Sequence, residues 1–278
     1  MILKSFAKIN LSLNVNKLLV NGLHDIQSYF CLINLFDPIR IKKIKGNKDI
    51  IKFSGKFAKL INKRKNSISE TLKILRNYSI IKDHYSIQVE KKIPVFGGLG
   101  GGTSNAACLV KYFYKKGINK NLLITLEKKI GSDLKLFFYN QGFLKSFTTI
   151  NNLKKKHKLF FLLVYPNIKC PTKYIYSKVR KYSSKSKYNY NKINSKKKFI
   201  KLLIDSHNDL QLIVQNKYSI VRKLLLEIKE KKGCCYSRMT GSGSVCYGMF
   251  VSKKTAQVAL TKIKSKYPKF WFSVAKTI

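Results

Sequence analysis

The stretch PVFGGLGGGTSNAACLV, residues 94–110, sets five glycines within the six positions from Gly97 to Gly102. Thr103 and Ser104 follow, and then a run with helical character. Backbone without side chains lets a neighbour come very close, and the following helix adds unsatisfied N–H groups and the positive end of its dipole. A plain strand-to-helix turn needs one or two glycines for its dihedrals. Five point instead to a phosphate held against the backbone, with Thr103 and Ser104 available to cap the helix or to donate to phosphate oxygens. Two common templates do not fit. A P-loop requires lysine where Thr103 stands. A GxGxxG fingerprint places its third glycine on Thr103 or Asn105, and no acidic residue follows at the distance a ribose needs.

The pattern around this loop is α+β. Ile9, Leu11, Leu13 and Val15 alternate at period two and predict one strand over 7–15. A tight turn is expected at Asn21-Gly22. The next strand is expected to break at Asp37-Pro38. Ser67 and Glu70 have capping-box spacing ahead of Ile68, Leu72 and Leu75. Residues 85–94 read as a strand leading into the glycine loop. A helix over 105–116 is expected to close at Gly117. The apolar run LFFLLVYP, 159–166, reads as a strand buried on both faces. Residues 181–198 are charged and poor in apolar side chains, as a mobile loop would be. A helix over 218–232 precedes a second, shorter glycine loop, 241–244. One cut divides the chain into an N-terminal nucleotide lobe, 1–150, and a C-terminal lobe, 151–278.

The chain has 57 Lys+Arg against 12 Asp+Glu, a formal net charge of +45. A nucleic-acid surface is one reading of such a balance. Against it, the basic residues are nearly all lysine, whereas phosphate and base readers favour the arginine fork. They are also spread along the chain with no recognisable nucleic-acid module. The abundance of Lys, Asn, Ile and Tyr fits a compositional bias of A/T-rich codons. The six cysteines show no metal-ligand spacing and read as reduced thiols. No apolar run reaches the roughly 18 residues of a membrane span. The N-terminus reads as a strand and not as a signal peptide, so a cytoplasmic protein is expected, with no membrane partner and no specific nucleic acid.

KKIPVFGGLGGGTSNAA resembles the phosphate-binding motif of the GHMP kinases, the superfamily of galactokinase, homoserine, mevalonate and phosphomevalonate kinases. AKINLSLNV, NGLHDIQS, IGSDLKLFF, HNDLQ and MTGSGSVCYGMF match further motifs of that family in the same order, from residue 7 to residue 250. The agreement is greatest with the branch that phosphorylates the 2-hydroxyl of a cytidine diphosphate methylerythritol in non-mevalonate isoprenoid synthesis. The resemblance implies a two-lobe α+β fold with a ribosomal-protein-S5-like N-terminal lobe and a C-terminal α/β sandwich. It implies ATP as co-substrate together with Mg²⁺, and a small-molecule substrate, on a monomer or weak homodimer. Lys8 and Asp133 match the catalytic pair. Pro94, Val95, Phe96, Gly97, Gly98, Leu99, Gly100, Gly101, Gly102, Thr103 and Ser104 match the ATP phosphate loop, and Asn66 and Lys91 the other nucleotide contacts. His24, Thr172 and Tyr176 match the cytidine diphosphate site. Asn10 near Lys8, and Gly241 and Ser242 of the second loop, are further substrate-side candidates.

Read without the family, these residues carry less. Lys8 is one lysine among many, and Asp133 after Gly131-Ser132 has the position of a helix N-cap. There are also departures from the family's pattern. Leu23 stands where tyrosine is usual, and Tyr176 where phenylalanine is common. Asp133-Leu134-Lys135 replaces Asp-Val-Pro, which is expected to bring a cation close to the substrate diphosphate. Two other readings stay open here: a GHMP-type kinase for mevalonate or homoserine, and a non-catalytic basic chain that binds nucleic acid.

Overall fold

The computed structural model describes residues 2–115, 119–153, 155–185 and 195–278. In chain order the elements are β1 (Ile2–Asn10), β2 (Asn14–Leu18), β3 (His24–Ile44), β4 (Ile50–Ser54), α1 (Ser67–Asn77), β5 (His84–Glu90), α2 (Gly101–Phe113) and α3 (Lys120–Ile130). A 3-10 helix at Leu134–Phe138 leads to β6 (Gln141–Leu144), β7 (Ile150–Asn152), β8 (Phe160–Tyr165) and α4 (Thr172–Ser177). Then come α5 (Lys196–Asp205), α6 (Asp209–Lys217), α7 (Ser219–Lys229), β9 (Cys234–Met239), β10 (Cys246–Phe250), α8 (Lys253–Lys266) and β11 (Trp271–Lys276).

By packing, the chain falls into two compact units. The first holds Met1–Lys8, Leu35–Val95 and Gly100–Tyr139; the second holds Ile9–Asn34, Phe96–Leu99 and Asn140–Ile278. The division is interleaved and does not follow one cut after residue 150. The reason is that β1 and β3 are long strands that each give residues to both units.

In the first unit, β3 pairs antiparallel with β5 from Ile39↔Val89 to Ile44↔His84, and β4 pairs parallel with β5. β1 pairs with β3. The helices α1, α2 and α3 pack together. Ile68, Leu72 and Leu75 form the buried face of α1, as their spacing predicts, against a core that includes Leu109, Val110, Leu122 and Leu126. The capping box lies one residue earlier than expected. Asn66 is the N-cap: its side-chain oxygen accepts from the N–H groups of Ile68 (3.1 Å) and Ser69 (3.0 Å), and its own N–H donates to Ser69 Oγ. Asparagine caps as well as serine does, so the motif is satisfied a position upstream.

In the second unit, β8 lies in the interior of an antiparallel sheet of order β11-β8-β10-β9. Its Phe161–Val164 run is fully buried, the expected character of a strand covered on both faces. α7 packs on β9 and β10, and α8 on β8 and β11. The second glycine loop joins β9 to β10. At the N-terminal end of this unit, β2 and β3 form the hairpin expected at Asn21-Gly22.

Several boundaries differ from the sequence pattern. The strand over 7–15 is two strands, β1 ending at Asn10 and β2 starting at Asn14. The chain turns between them where both the Leu11 and Ser12 N–H groups point at the Tyr29 carbonyl. All four alternating apolar residues are buried all the same. β3 runs through Asp37-Pro38 without a break. Pro38 falls between the stretch paired with β6 and the stretch paired with β5, so neither ladder loses a donor there. α2 begins at Gly101, inside the glycine loop. The expected stop at Gly117 lies outside the described residues, as do 186–194 of the expected mobile loop. Lys196 to Lys198 of that loop are the first turn of α5, capped by Ser195.

Replacing Asn66 by alanine is expected to cost about 1 kcal/mol, seen as a melting temperature lower by roughly 2–4 °C. Asn66→Asp should keep the wild-type value. An alanine variant that melts like the wild type would show that the cap does not stabilise α1.

Candidate functional site

Within the first unit, Lys8 and Asp133 meet. Lys8 sits on β1, only 2% exposed, and its Nζ lies 2.8 Å from Asp133 Oδ2. The Asp133 side chain is 37% exposed, so one end of the pair is buried and the other faces outward. Asp133 precedes the 3-10 helix but makes no side-chain cap bond to it. The capping alternative therefore fails, and the carboxylate is committed to Lys8.

The C-terminal half of the glycine loop packs beside this pair. Gly100 is left-handed at φ 68°, and a Cβ there would lie 2.7 Å from Phe137 Cζ and 3.5 Å from Lys8 Cε. Only glycine lets the loop backbone approach the Lys8 stem so closely. Gly100 also brings no side chain to cap the first turn of α2, which leaves helix N–H donors open. Thr103, on that turn, faces Gly131 beside the Asp133 turn. Ser104 does not point outward. It is 3% exposed, its Oγ lies 2.7 Å from Ser5 Oγ, and it donates to the Phe6 carbonyl at 2.6 Å.

Lys91 is also turned inward. It is 1% exposed; its ammonium is ion-paired with Asp37 and donates to Asn105 Oδ1 at 2.8 Å. Asp37 Oδ1 accepts from the N–H groups of Lys92 (2.7 Å) and Ile93 (2.9 Å), immediately before the loop. Asn105, immediately after it, donates to Ser5 Oγ at 2.8 Å and to Asp37 Oδ2 at 3.1 Å. Burial pulls the Lys91 pKa down against the attraction of Asp37. The two residues expected as further nucleotide contacts thus have structural partners: Asn66 caps α1, and Lys91 anchors the run into the loop. Lys135 likewise faces Glu127 at 3.0 Å, with both side chains largely buried. It does not present a free cation to a diphosphate.

Within the second unit, Phe96–Leu99 locks onto the second glycine loop. Gly98 has φ 77°, and a Cβ there would overlap the Thr240 carbonyl oxygen and lie 3.2 Å from Gly243 N. The Val245 N–H donates to the Gly97 carbonyl at 3.1 Å. Gly241 lies against Gly98 and the Asn10 side chain. The Asn10 N–H donates to Thr240 Oγ1 at 3.0 Å, and its amide nitrogen to Ser28 Oγ at 2.8 Å. Asn208 donates to the carbonyls of Met239 and Gly241 and fixes both ends of that turn. Thr172 Oγ1 lies 3.0 Å from Ser242 Oγ. The rings of His24 and Tyr176 are 5.1 Å apart at 37°. Burial lowers the His24 pKa, so the imidazole is neutral at pH 7. Leu23 beside it is 43% exposed.

The sequence pattern missed Asp37, Asn105, Thr240 and Asn208. Asp37 had a signal: it is one of only 12 acidic residues and lies inside an apolar strand run. Among the described residues all six cysteines are free thiols, and no helix is long and apolar enough to cross a membrane.

The GHMP kinases N terminal domain family matches residues 66–139, and the GHMP kinases C terminal family matches residues 193–269. The chain is 37% identical to a 4-diphosphocytidyl-2-C-methyl-D-erythritol kinase of Pelagibacter ubique, over 99% of this chain and 98% of the relative. It is 34% identical to the kinase of that name from Buchnera aphidicola, over 94% and 87%. The fold is similar to that of a solved 4-(cytidine 5'-diphospho)-2C-methyl-D-erythritol kinase, with a TM-score of 0.75 at 19% identity and 99% coverage of both chains. It is also similar to that of homoserine kinase from Cytophaga hutchinsonii, with a TM-score of 0.69 at 16% identity, over 100% of this chain and 94% of the other.

Asp37→Asn leaves the Lys91 ammonium buried without its counter-charge, and should cost about 3–5 kcal/mol in denaturant unfolding. The double variant Asp37→Leu with Lys91→Met should lose less than the single one. A single variant as stable as the wild type would remove the pair from its anchoring role.

Proposed function

The chain belongs to the 4-diphosphocytidyl-2-C-methyl-D-erythritol kinase family of the GHMP kinases, and from that premise we propose that Lys8 and Asp133 carry its chemistry. The protein is an ATP-dependent kinase that phosphorylates the 2-hydroxyl of 4-diphosphocytidyl-2-C-methyl-D-erythritol. The observation that supports the assignment of the pair is the 2.8 Å contact between a buried ammonium and a half-exposed carboxylate.

Phosphoryl transfer needs positioning and charge stabilisation more than covalent chemistry from the protein. The loop from Pro94 to Ser104 supplies backbone N–H donors and the N-terminus of α2 to the ATP phosphates. Asp133 accepts the proton of the substrate hydroxyl as its oxygen attacks the γ-phosphorus, and the bond to the β-phosphate oxygen breaks to release ADP. Lys8 holds Asp133 in place and stabilises the charge that develops at the attacking oxygen. Among the described residues no group of three or more His, Cys, Asp and Glu is placed to hold a metal ion. Mg²⁺ bound with the triphosphate would neutralise phosphate charge, with Asp133 the accessible carboxylate beside the glycine loop. On the acceptor side, His24 and Tyr176 offer ring faces to the cytosine, while Thr172, Ser242, Gly241 and Asn10 line the diphosphate end. Leu23 adds only apolar contact, so ring recognition rests on His24 and Tyr176. We place the reaction in the cytoplasm, in keeping with six reduced thiols. The reacting pair is complete within one chain, as a monomer or a weak homodimer requires.

A coupled ADP-release assay with the cytidylated methylerythritol, mevalonate and homoserine should show turnover with the first alone. Preference for either of the others would overturn the acceptor assignment. Asp133→Ala should lower kcat by about 10³-fold and leave the ATP dissociation constant within about threefold. Normal turnover by that variant would take Asp133 out of the chemistry.

A further inference from the structure

The turn that presents Asp133 is held from behind by a second ion pair. Glu127 lies on the last turn of α3, and Lys135 on the 3-10 helix that follows Asp133. Lys135 Nζ is 3.0 Å from Glu127 Oε1, with side chains 9% and 12% exposed. The Lys135 backbone N–H also donates to the Glu127 carboxylate. One carboxylate therefore grips the chain two residues after Asp133 by both its side chain and its backbone, and six residues before Asp133 it is itself part of α3. The span between is closed by backbone bonds. The Gly131 N–H donates to the Glu127 carbonyl, that of Leu134 to the Gly131 carbonyl, and that of Leu136 to the Asp133 carbonyl. Asp133 lies within this ring, with Lys8 Nζ 2.8 Å from its Oδ2. Burial raises the Glu127 pKa, Lys135 opposes the rise, and the nearby charge of Asp133 adds to it. The Glu127 carboxylate is thus electrostatically in touch with the reacting group as well as linked to it through the backbone.

We propose that Glu127 and Lys135 are positioning residues for phosphoryl transfer, a clamp that closes the turn and holds the Asp133 carboxylate in line with Lys8. The inference rests on the assignment of Asp133 made above and deepens it. A displacement of about 1 Å at a reacting group costs on the order of 10²-fold in rate, so a clamp on this turn acts on kcat. Both clamp side chains are largely covered, so the Michaelis constant for ATP should not follow.

The test is steady-state kinetics of Glu127→Gln, Lys135→Met, Lys135→Arg and the double variant Glu127→Leu with Lys135→Met. Wild type and Asp133→Ala are measured alongside, at a temperature where circular dichroism shows each folded. The clamp predicts kcat about tenfold or more below wild type for Glu127→Gln, Lys135→Met and the double variant. Their ATP Michaelis constants should stay within about twofold, and Lys135→Arg should stay near wild-type kcat. The double variant removes both buried charges and keeps apolar volume. A merely structural pair therefore predicts wild-type kcat for it, and that result overturns the clamp. Wild-type kcat in both Glu127→Gln and Lys135→Met overturns it equally. If Asp133→Ala turns over normally, the reading of Asp133 has failed and the clamp falls with it. If Asp133→Ala is inactive while the clamp variants are normal, the clamp alone has failed.

Discussion

The buried contact between Asp37 and Lys91 is the constraint from which the phosphate loop takes its shape. Asp37 holds the backbone just before the loop through the N–H groups of Lys92 and Ile93, and Asn105 ties the helix just after it to the same carboxylate. Ser5 and Ser104 extend the network to β1, the strand that carries Lys8. A buried ion pair is a poor source of net stability, because desolvation takes back much of the attraction. Its value is geometric: every donor and acceptor in it is satisfied in one arrangement, and alternatives leave a charge unpaired in the interior. The loop between these anchors is short, fixed at both ends, and has to clear close neighbours. At Gly100 the neighbours are Phe137 and Lys8; at Gly98 they are the carbonyl of Thr240 and the backbone of Gly243. The density of glycine follows from that confinement.

The fold was largely legible because its strongest signals are local. The apolar run of β8 and the 3.6-residue spacing of Ile68, Leu72 and Leu75 report burial directly, and burial is what the structure shows at each. Turn chemistry at Asn21-Gly22 was legible for the same reason. What the pattern misjudged depends on partners distant in sequence. Asp37-Pro38 looks like a break until Lys91, 54 residues later, donates to the carboxylate inside the strand. Alternation through residue 15 looks like one strand until Tyr29 gathers the N–H groups of Leu11 and Ser12. In the site, Asp133 stood out as a scarce acid and is found paired with Lys8, but motif alignment alone could not tell a lysine that faces a ligand from one that faces the interior. Lys91 and Lys135 both belong to the second kind.

Composition explains which site residues can be read and which cannot. With 57 basic residues and 12 acidic ones, a lysine on its own carries almost no information, whereas each carboxylate is scarce. The scarce group is placed with matching economy. Among the described residues, nine of the twelve acids form ion pairs: Asp25, Asp37, Asp49, Asp83, Glu90, Glu127, Asp133, Asp209 and Glu227. Most of the lysines remain on the surface, where the field they create attracts anionic small molecules without selecting among them.

Among the described residues three lysines are buried, Lys8, Lys91 and Lys135, and each is matched to one acid: Asp133, Asp37 and Glu127. Burial of an ammonium is costly unless it is paired, so in a chain this basic the acids decide which lysines enter the interior. The three pairs differ in one respect that separates their roles. In the Asp37 and Glu127 pairs both partners are covered, whereas Asp133 keeps 37% of its side chain exposed. A covered pair can only hold its surroundings in place. A pair with an accessible carboxylate and a buried ammonium can meet a group from outside while the ammonium holds the carboxylate in place from within. Exposure of the acid, more than the presence of the lysine, sets the Lys8–Asp133 pair apart from the other two.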